Sequence, residues 1–158
     1  MSDNKSRLHR FQPDTYTWSE VEKETYKDAG GCWCGIDRNT LIGNRGESSK
    51  FHLRYFEINP GGNSSLEKHG HEHTVICARG RGRAIVDDRL HEMSMMDVLY
   101  VAPDTPHQLL NPYSEPFGFF CIVDAERDRP RELDKEDVER LEASPETRGK
   151  FVGYIQGD

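Results

Sequence analysis

No run in this sequence approaches the roughly 18 consecutive apolar residues of a membrane-spanning helix. The opening MSDNKSRLHRFQPDTYTWSE has none of the apolar core of a secretion signal either. Basic charge is in deficit: 21 Lys and Arg stand against 28 Asp and Glu, giving a formal charge of -7 and a pI near 5.5. Such a balance leaves no positive footprint for phosphate backbones or anionic lipid, so neither nucleic acid nor membrane is an expected partner. The cytoplasm is the expected location. Four cysteines in 158 residues do not make a disulfide scaffold, and without a secretion signal their thiols are expected to be reduced. A nucleophile triad, a glycine-rich phosphate loop and a flavin or nicotinamide fingerprint are all missing. If the chain is an enzyme, a metal must carry its chemistry.

What is present suits one folded domain. Hydrophobic residues make up 34% of the chain and 14 glycines raise the apolar share toward that of ordinary globular proteins. Residues 1–31 are polar, with Trp18, Val21 and Tyr26 as scattered apolar points, and read as an arm or short early strands. From residue 32 to 124 short alternating runs such as FHLRYFEI, SSLEKH, TVICARG, GRAIVD, DVLYVA, HQLLN and FGFFCIV are broken by Gly, Pro, Asn and Asp. That pattern predicts an all-β, single-domain antiparallel β-barrel or jelly roll. Residues 125–158 form a tail in which DKEDVERLEA, acidic at its start and with Val138 and Leu141 three apart, predicts one short helix. Cys77 and Cys121 sit in apolar runs and read as core. Cys32 and Cys34, in GGCWCG, could form a soft-metal or redox pair but lack C-x-x-C spacing and read more simply as small strand residues.

The chemistry gathers in EKHGHEH, which places Glu67, His69, His71 and His73 at alternate positions. Borderline divalent metals take imidazole and carboxylate donors, and a site needs several of them converging from rigid elements. A further donor is available at His107 in VAPDTPHQLLN, where Pro103 and Pro106 stiffen the turn before it.

These residues resemble the two motifs of the cupin superfamily. In the first motif a third ligand precedes a glycine by six residues; counting back from Gly80 reaches His73, and His69 then takes the second position of His-x-His with Glu67 in the first. Pro60-Gly61-Gly62 and the four residues NSSL before Glu67 support that register. A shorter register instead pairs His69 with His71, at the cost of an insertion and a deletion. In the second motif His107 and Asn111 stand at the right separation, while Met96, Ala102 and Asp104 replace its Gly, Pro and Gly. The resemblance implies a ring of Glu67, His69, His73 and His107 around one divalent transition metal, Fe, Mn, Ni, Zn or Cu, with open positions for water or substrate. His71 is then an alternative ligand, a group behind the ligands or a gate.

Matching parity would bring Val75, Cys77 and Arg79 to the barrel lining beside Leu109 and Asn111, with Arg79 expected to reach solvent at its strand end. One of Arg54 and Tyr55 must face inward. Phe117, Phe119 and Cys121 share a face as core, and Gln108 points away from His107 as a structural residue. The resemblance implies a metal-dependent enzyme, most simply a dioxygenase or related oxidoreductase acting on a small organic acid or thiol. Alternatives are an isomerase, lyase or decarboxylase, in which Glu67 or His71 moves a proton, and a non-catalytic module for metal or small ligands. Pairing through sheet edges predicts a homodimer.

Overall fold

The computed structural model describes residues 4–26 and 34–153. Cys32 lies outside them, and of Cys34 only the backbone is described, so the C-x-C pair has no structural account. The elements run β1 (Phe11–Gln12), β2 (Thr17–Trp18), β3 (Lys23–Tyr26), β4 (Cys34–Ile42), β5 (Phe51–Asn63), β6 (His73–Arg79), β7 (Arg81–Val86), β8 (Arg89–Ser94), β9 (Val98–Val101), β10 (His107–Leu110), β11 (Phe117–Asp124) and α1 (Lys135–Ala143). Strands β1 and β2 pair with each other; the other nine form one curled antiparallel sheet in the order β8-β7-β10-β5-β11-β6-β9, with β4 on β5 and β3 on β4. The all-β barrel-like architecture with one C-terminal helix is therefore the one the alternating runs predict. No helix among the described residues is long and apolar enough to cross a membrane.

Period-two alternation decides what faces inward. On β6 His73, Val75 and Cys77 are buried, and on β11 Phe117, Phe119, Cys121 and Val123 are buried. With Ile36, Phe56, Ile58, Ala84, Met93 and Leu109 they make the main core. Strand β10 is buried on both faces, because a second cluster, Leu66, Ile85, Leu110, Leu133, Val138 and Leu141, packs α1 against its outer side. The helix is closed at its N-terminus by Asp134 and Asp137 in a capping box. Gln108 lies under this layer, donating to the carbonyls of Ser64 and Val152 and accepting from the Val152 amide.

Two local features shape the site. Gly80, at φ +63°, makes the turn from β6 to β7, where a Cβ would come within 2.2 Å of the Pro116 carbonyl oxygen. Met96 and Asp104 also adopt positive φ, 73° and 59°, so non-glycine residues hold the left-handed turns at two motif positions normally given to glycine. Hydrogen bonds compensate for that strain: the Met96 amide donates to Cys77 O at 2.7 Å and the Asp104 amide to His69 O at 2.7 Å. The SSLEKH run differs from its expected strand. It is irregular, touching β10 through a bridge between Glu67 and His107 and the tail through one between Lys68 and Arg131, because its polar backbone groups bond to β10 and the tail in turn.

Candidate metal centre

The Glu67–His107 bridge sets the two residues opposite each other, with Glu67 N donating to His107 O at 3.2 Å and His107 N to Glu67 O at 3.0 Å. Opposed residues of an antiparallel pair point to one face, here into a cavity of about 200 Å³. The chain then bends at Gly70–His71 and enters β6 at His73. Asp128, from the segment after β11, fixes the bend: its carboxylate accepts from Gly70 N at 2.6 Å, His71 N at 2.9 Å and His71 Nδ1 at 2.8 Å. These contacts hold the Asp128 carboxyl well below the usual carboxylate range.

His69, His73 and His107 converge, their ligand atoms lying within 4.8 Å of one another, and all three are buried. Carbonyl oxygens can only accept, so His69 Nδ1 donates to His71 O at 2.6 Å and His107 Nδ1 donates to Thr105 O at 2.8 Å. Each Nε2 lone pair is thereby left for the centre. His73 Nδ1 lies 3.3 Å from Cys121 Sγ, a thiol able to accept or donate. His73 Nε2 is 3.2 Å from His107 Nε2.

Burial, reinforced by the charge of His107, pushes the His73 pKa down to about 2. Burial likewise pushes His107 down to about 4 and lowers His69. At neutral pH the cluster is uncharged, with neutral imidazole nitrogens facing inward, which is the donor type a borderline divalent cation takes. The residues present fit a metal.

The other expected site residues lie beside this group. Glu67 lines the same cavity, and its Oε2 accepts from Ser65 Oγ at 2.5 Å; its carboxylate is outside the cluster of converging donors. The His71 ring stacks on His69 with centroids 3.7 Å apart and planes 3° apart, and turns its Nδ1 to Asp128. On β5, Arg54 faces the cavity while Tyr55 is buried on the opposite side against Trp18 and Phe120. Arg79 does not simply reach solvent: its Nη1 donates to both Glu57 oxygens at 2.9 Å. Sequence reasoning missed Arg38, Arg127 and Asp128, all of which line the cavity. The charge-dense AERDRPREL stretch was the one available signal for the last two.

A family model described as Cupin domain matches residues 54–123. A 1-methylthio-D-xylulose 5-phosphate methylsulfurylase of Rhodospirillum rubrum is 36% identical over 145 residues, covering 90% of this chain and 92% of its own length. Among solved structures, a cupin-2 domain of Rhodospirillum rubrum is similar at TM-score 0.75 and 35% identity, covering 82% of this chain and 86% of that one. A cupin 2 domain-containing protein of Halorhodospira halophila is similar at TM-score 0.72 and 34% identity, covering 95% and 100%.

Proposed function

The chain belongs to the cupin superfamily, and from that premise we propose that it is a metal-dependent enzyme that breaks the carbon–sulfur bond of a methylthio-substituted ketose phosphate. The observation that carries the reading is the convergence of three neutral imidazoles, His69, His73 and His107, on one small cavity. The methylsulfurylase relative supports the sulfur chemistry and the sugar phosphate. We assign the three histidines as ligands and Glu67 as the fourth donor. A divalent ion held there, Fe, Mn, Ni, Zn or Cu, would supply Lewis acidity to the substrate carbonyl.

The chain's own residues do the rest. Phe56, Leu109, Phe119 and Val123 give the cavity apolar walls, which suit a methylthio group and exclude water. When the thiolate of a small acceptor takes the methylthio group to form a mixed disulfide, the electron pair of the broken carbon–sulfur bond stays on the carbon, which then takes up a proton. His71 is the group we assign to deliver it, its ring held by Asp128 and by stacking on His69. The thiols of Cys77 and Cys121 are free, in keeping with the cytoplasmic location inferred from the sequence. The edge strand β9, with Val98 and Tyr100 exposed, supports a homodimer formed with a second copy.

The test is to load the purified protein with each metal in turn, supply 1-methylthio-D-xylulose 5-phosphate and a small thiol acceptor, and follow the sugar by mass spectrometry beside an oxygen electrode. Loss of the methylthio group without O2 uptake is expected; no cleavage with any metal would overturn the reading. The second reading, a dioxygenase acting on a thiol or small acid, is supported by the same neutral donor set with room for O2. O2 consumption across a panel of such compounds would select it. Turnover of a substrate lacking the methylthio group, with Zn(II) and no O2, would select an isomerase, lyase or decarboxylase.

A further inference from the structure

A second cluster shares the cavity, and the metal site does not account for it. Arg38 from β4, Arg54 from β5 and Arg127 from the segment after β11 all line it. Arg38 has a carboxylate partner, its Nε and Nη2 donating to Glu24 Oε2 at 3.1 and 2.7 Å. Arg54 and Arg127 have none among the described residues. Arg54 Nη2 donates to Cys121 Sγ at 3.4 Å, a weak acceptor, and its Nε is buried with no partner. Arg127 Nη1 meets the Asp124 carbonyl and His52 Nδ1, each at 3.0 Å, and neither offsets its charge. Partial burial and the neighbouring Arg54 charge push Arg127 below its usual range, and burial together with these two arginines also lowers His52. The carboxylates in the same lining are turned elsewhere, Asp128 to Gly70 and His71, and Glu67 to Ser65. Arg54 and Arg127 therefore keep guanidinium charges without a carboxylate partner, which is costly in a partly buried place. The formal net charge is -7, so a cavity walled by three guanidinium groups is selective rather than generic.

We propose that Arg38, Arg54 and Arg127 form a clamp for the phosphate of a phosphomonoester whose other end reaches the histidine cluster. The two guanidinium groups without a carboxylate partner, Arg54 and Arg127, with Arg38 held beside them by Glu24, match the three free oxygens and the double charge of such a group better than the two oxygens and single charge of a carboxylate. Arg54 adjoins the histidine cluster, since Cys121 Sγ lies 3.3 Å from His73 Nδ1 and 3.4 Å from Arg54 Nη2. The clamp names the part of the substrate that the proposed function leaves unplaced, and rests on that reading for the identity of the rest.

The experiment is calorimetric titration of metal-loaded protein with D-xylulose 5-phosphate, D-xylulose and D-xylonate. The ester is expected to bind about 100-fold more tightly than either of the other two. Arg54→Gln and Arg127→Gln should each weaken it about 10- to 100-fold, and rising salt should weaken it further. Equal affinity for ester and free sugar would overturn the clamp, as would xylonate matching the ester, or wild-type ester binding by a folded Arg127→Gln protein. Failure of the reaction reads differently: the ester binds and responds to the arginine substitutions while the methylthio ester is not cleaved. If the clamp alone fails, Arg127→Gln cleaves the methylthio ester with an unchanged KM.

Discussion

The two faces of β5 carry the same kinds of residue and use them oppositely. On one face Tyr55 Oη donates to Glu57 Oε2 at 3.0 Å, Arg79 pairs with both Glu57 oxygens, and the Arg79 guanidinium lies 4.4 Å above the Tyr16 ring. Tyr16, Trp18 and Phe120 close over Tyr55, and burial beside the Glu57 charge drives the Tyr55 pKa upward. Every charge there has its partner within the chain. On the other face Arg54 has a thiol for an acceptor and an orphaned Nε. A polar network that closes on itself stabilises the fold, whereas one left open is completed by a ligand.

That division is broken or upheld most forcefully at the histidine cluster. His107→Ala is expected to lower metal affinity by more than the roughly 100-fold typical of losing a group behind a ligand, measured by competition with a chelator, while circular dichroism keeps its β signature. Retained stoichiometric metal would remove His107 from the site. Asp128→Asn comes next. It should cut kcat about 10- to 100-fold with metal content unchanged, because it frees the His71 ring rather than a ligand. A fall in metal content instead would make Asp128 a support of the cluster and not of the His71 ring alone.

Denaturant unfolding compares the two faces directly. Glu57→Gln leaves Arg79 without its counter-charge and is expected to cost about 2 kcal/mol, below the range for a fully buried pair because the Arg79 side chain is 36% exposed. Arg54→Gln, with no carboxylate to abandon, should change the stability of ligand-free protein by less than about 1 kcal/mol. Equal losses in the two variants would erase the distinction between a closed and an open network.

The sequence made the histidines legible because spacing within each motif is local: His69, His73 and Gly80 lie along β6 and the turns at its ends, and His107 and Asn111 along β10 and the turn after it. Period two likewise exposed the core faces of β6 and β11. Arg38, Arg127 and Asp128 escaped because they reach the cavity from β4 and from the segment after β11, and no short-range pattern links those segments to EKHGHEH. Arg54 was one of two adjacent candidates, and only the packing of Tyr55 under Trp18 decides which of them faces inward. Met96 and Asp104 looked like departures from turn geometry, yet the positive φ survives at both, since backbone hydrogen bonds can hold a conformation that glycine would adopt without strain.

The smallest expected effect concerns a third closed network, which ties the segment holding Glu67 and His69 to the helix. Lys68 Nζ donates to Asp134 Oδ2 at 2.9 Å and Asp137 Oδ2 at 2.5 Å. Hydrogen bonding from Lys68, followed by that from the Asp137 amide, lowers the Asp134 pKa to about 2. A carboxylate whose folded pKa is depressed stabilises the fold above its unfolded value, and that contribution is lost as pH falls through the folded one. Between pH 4 and pH 2 the helix should therefore loosen, seen as faster amide exchange at Val138 and Leu141. Asp134 is solvent-exposed, so the effect is small and salt-sensitive. In Lys68→Met the same acid step should shrink, since the lysine is the main cause of the depression; an undiminished step would assign it to the capping box, a property of the helix alone and not of its tie to the site.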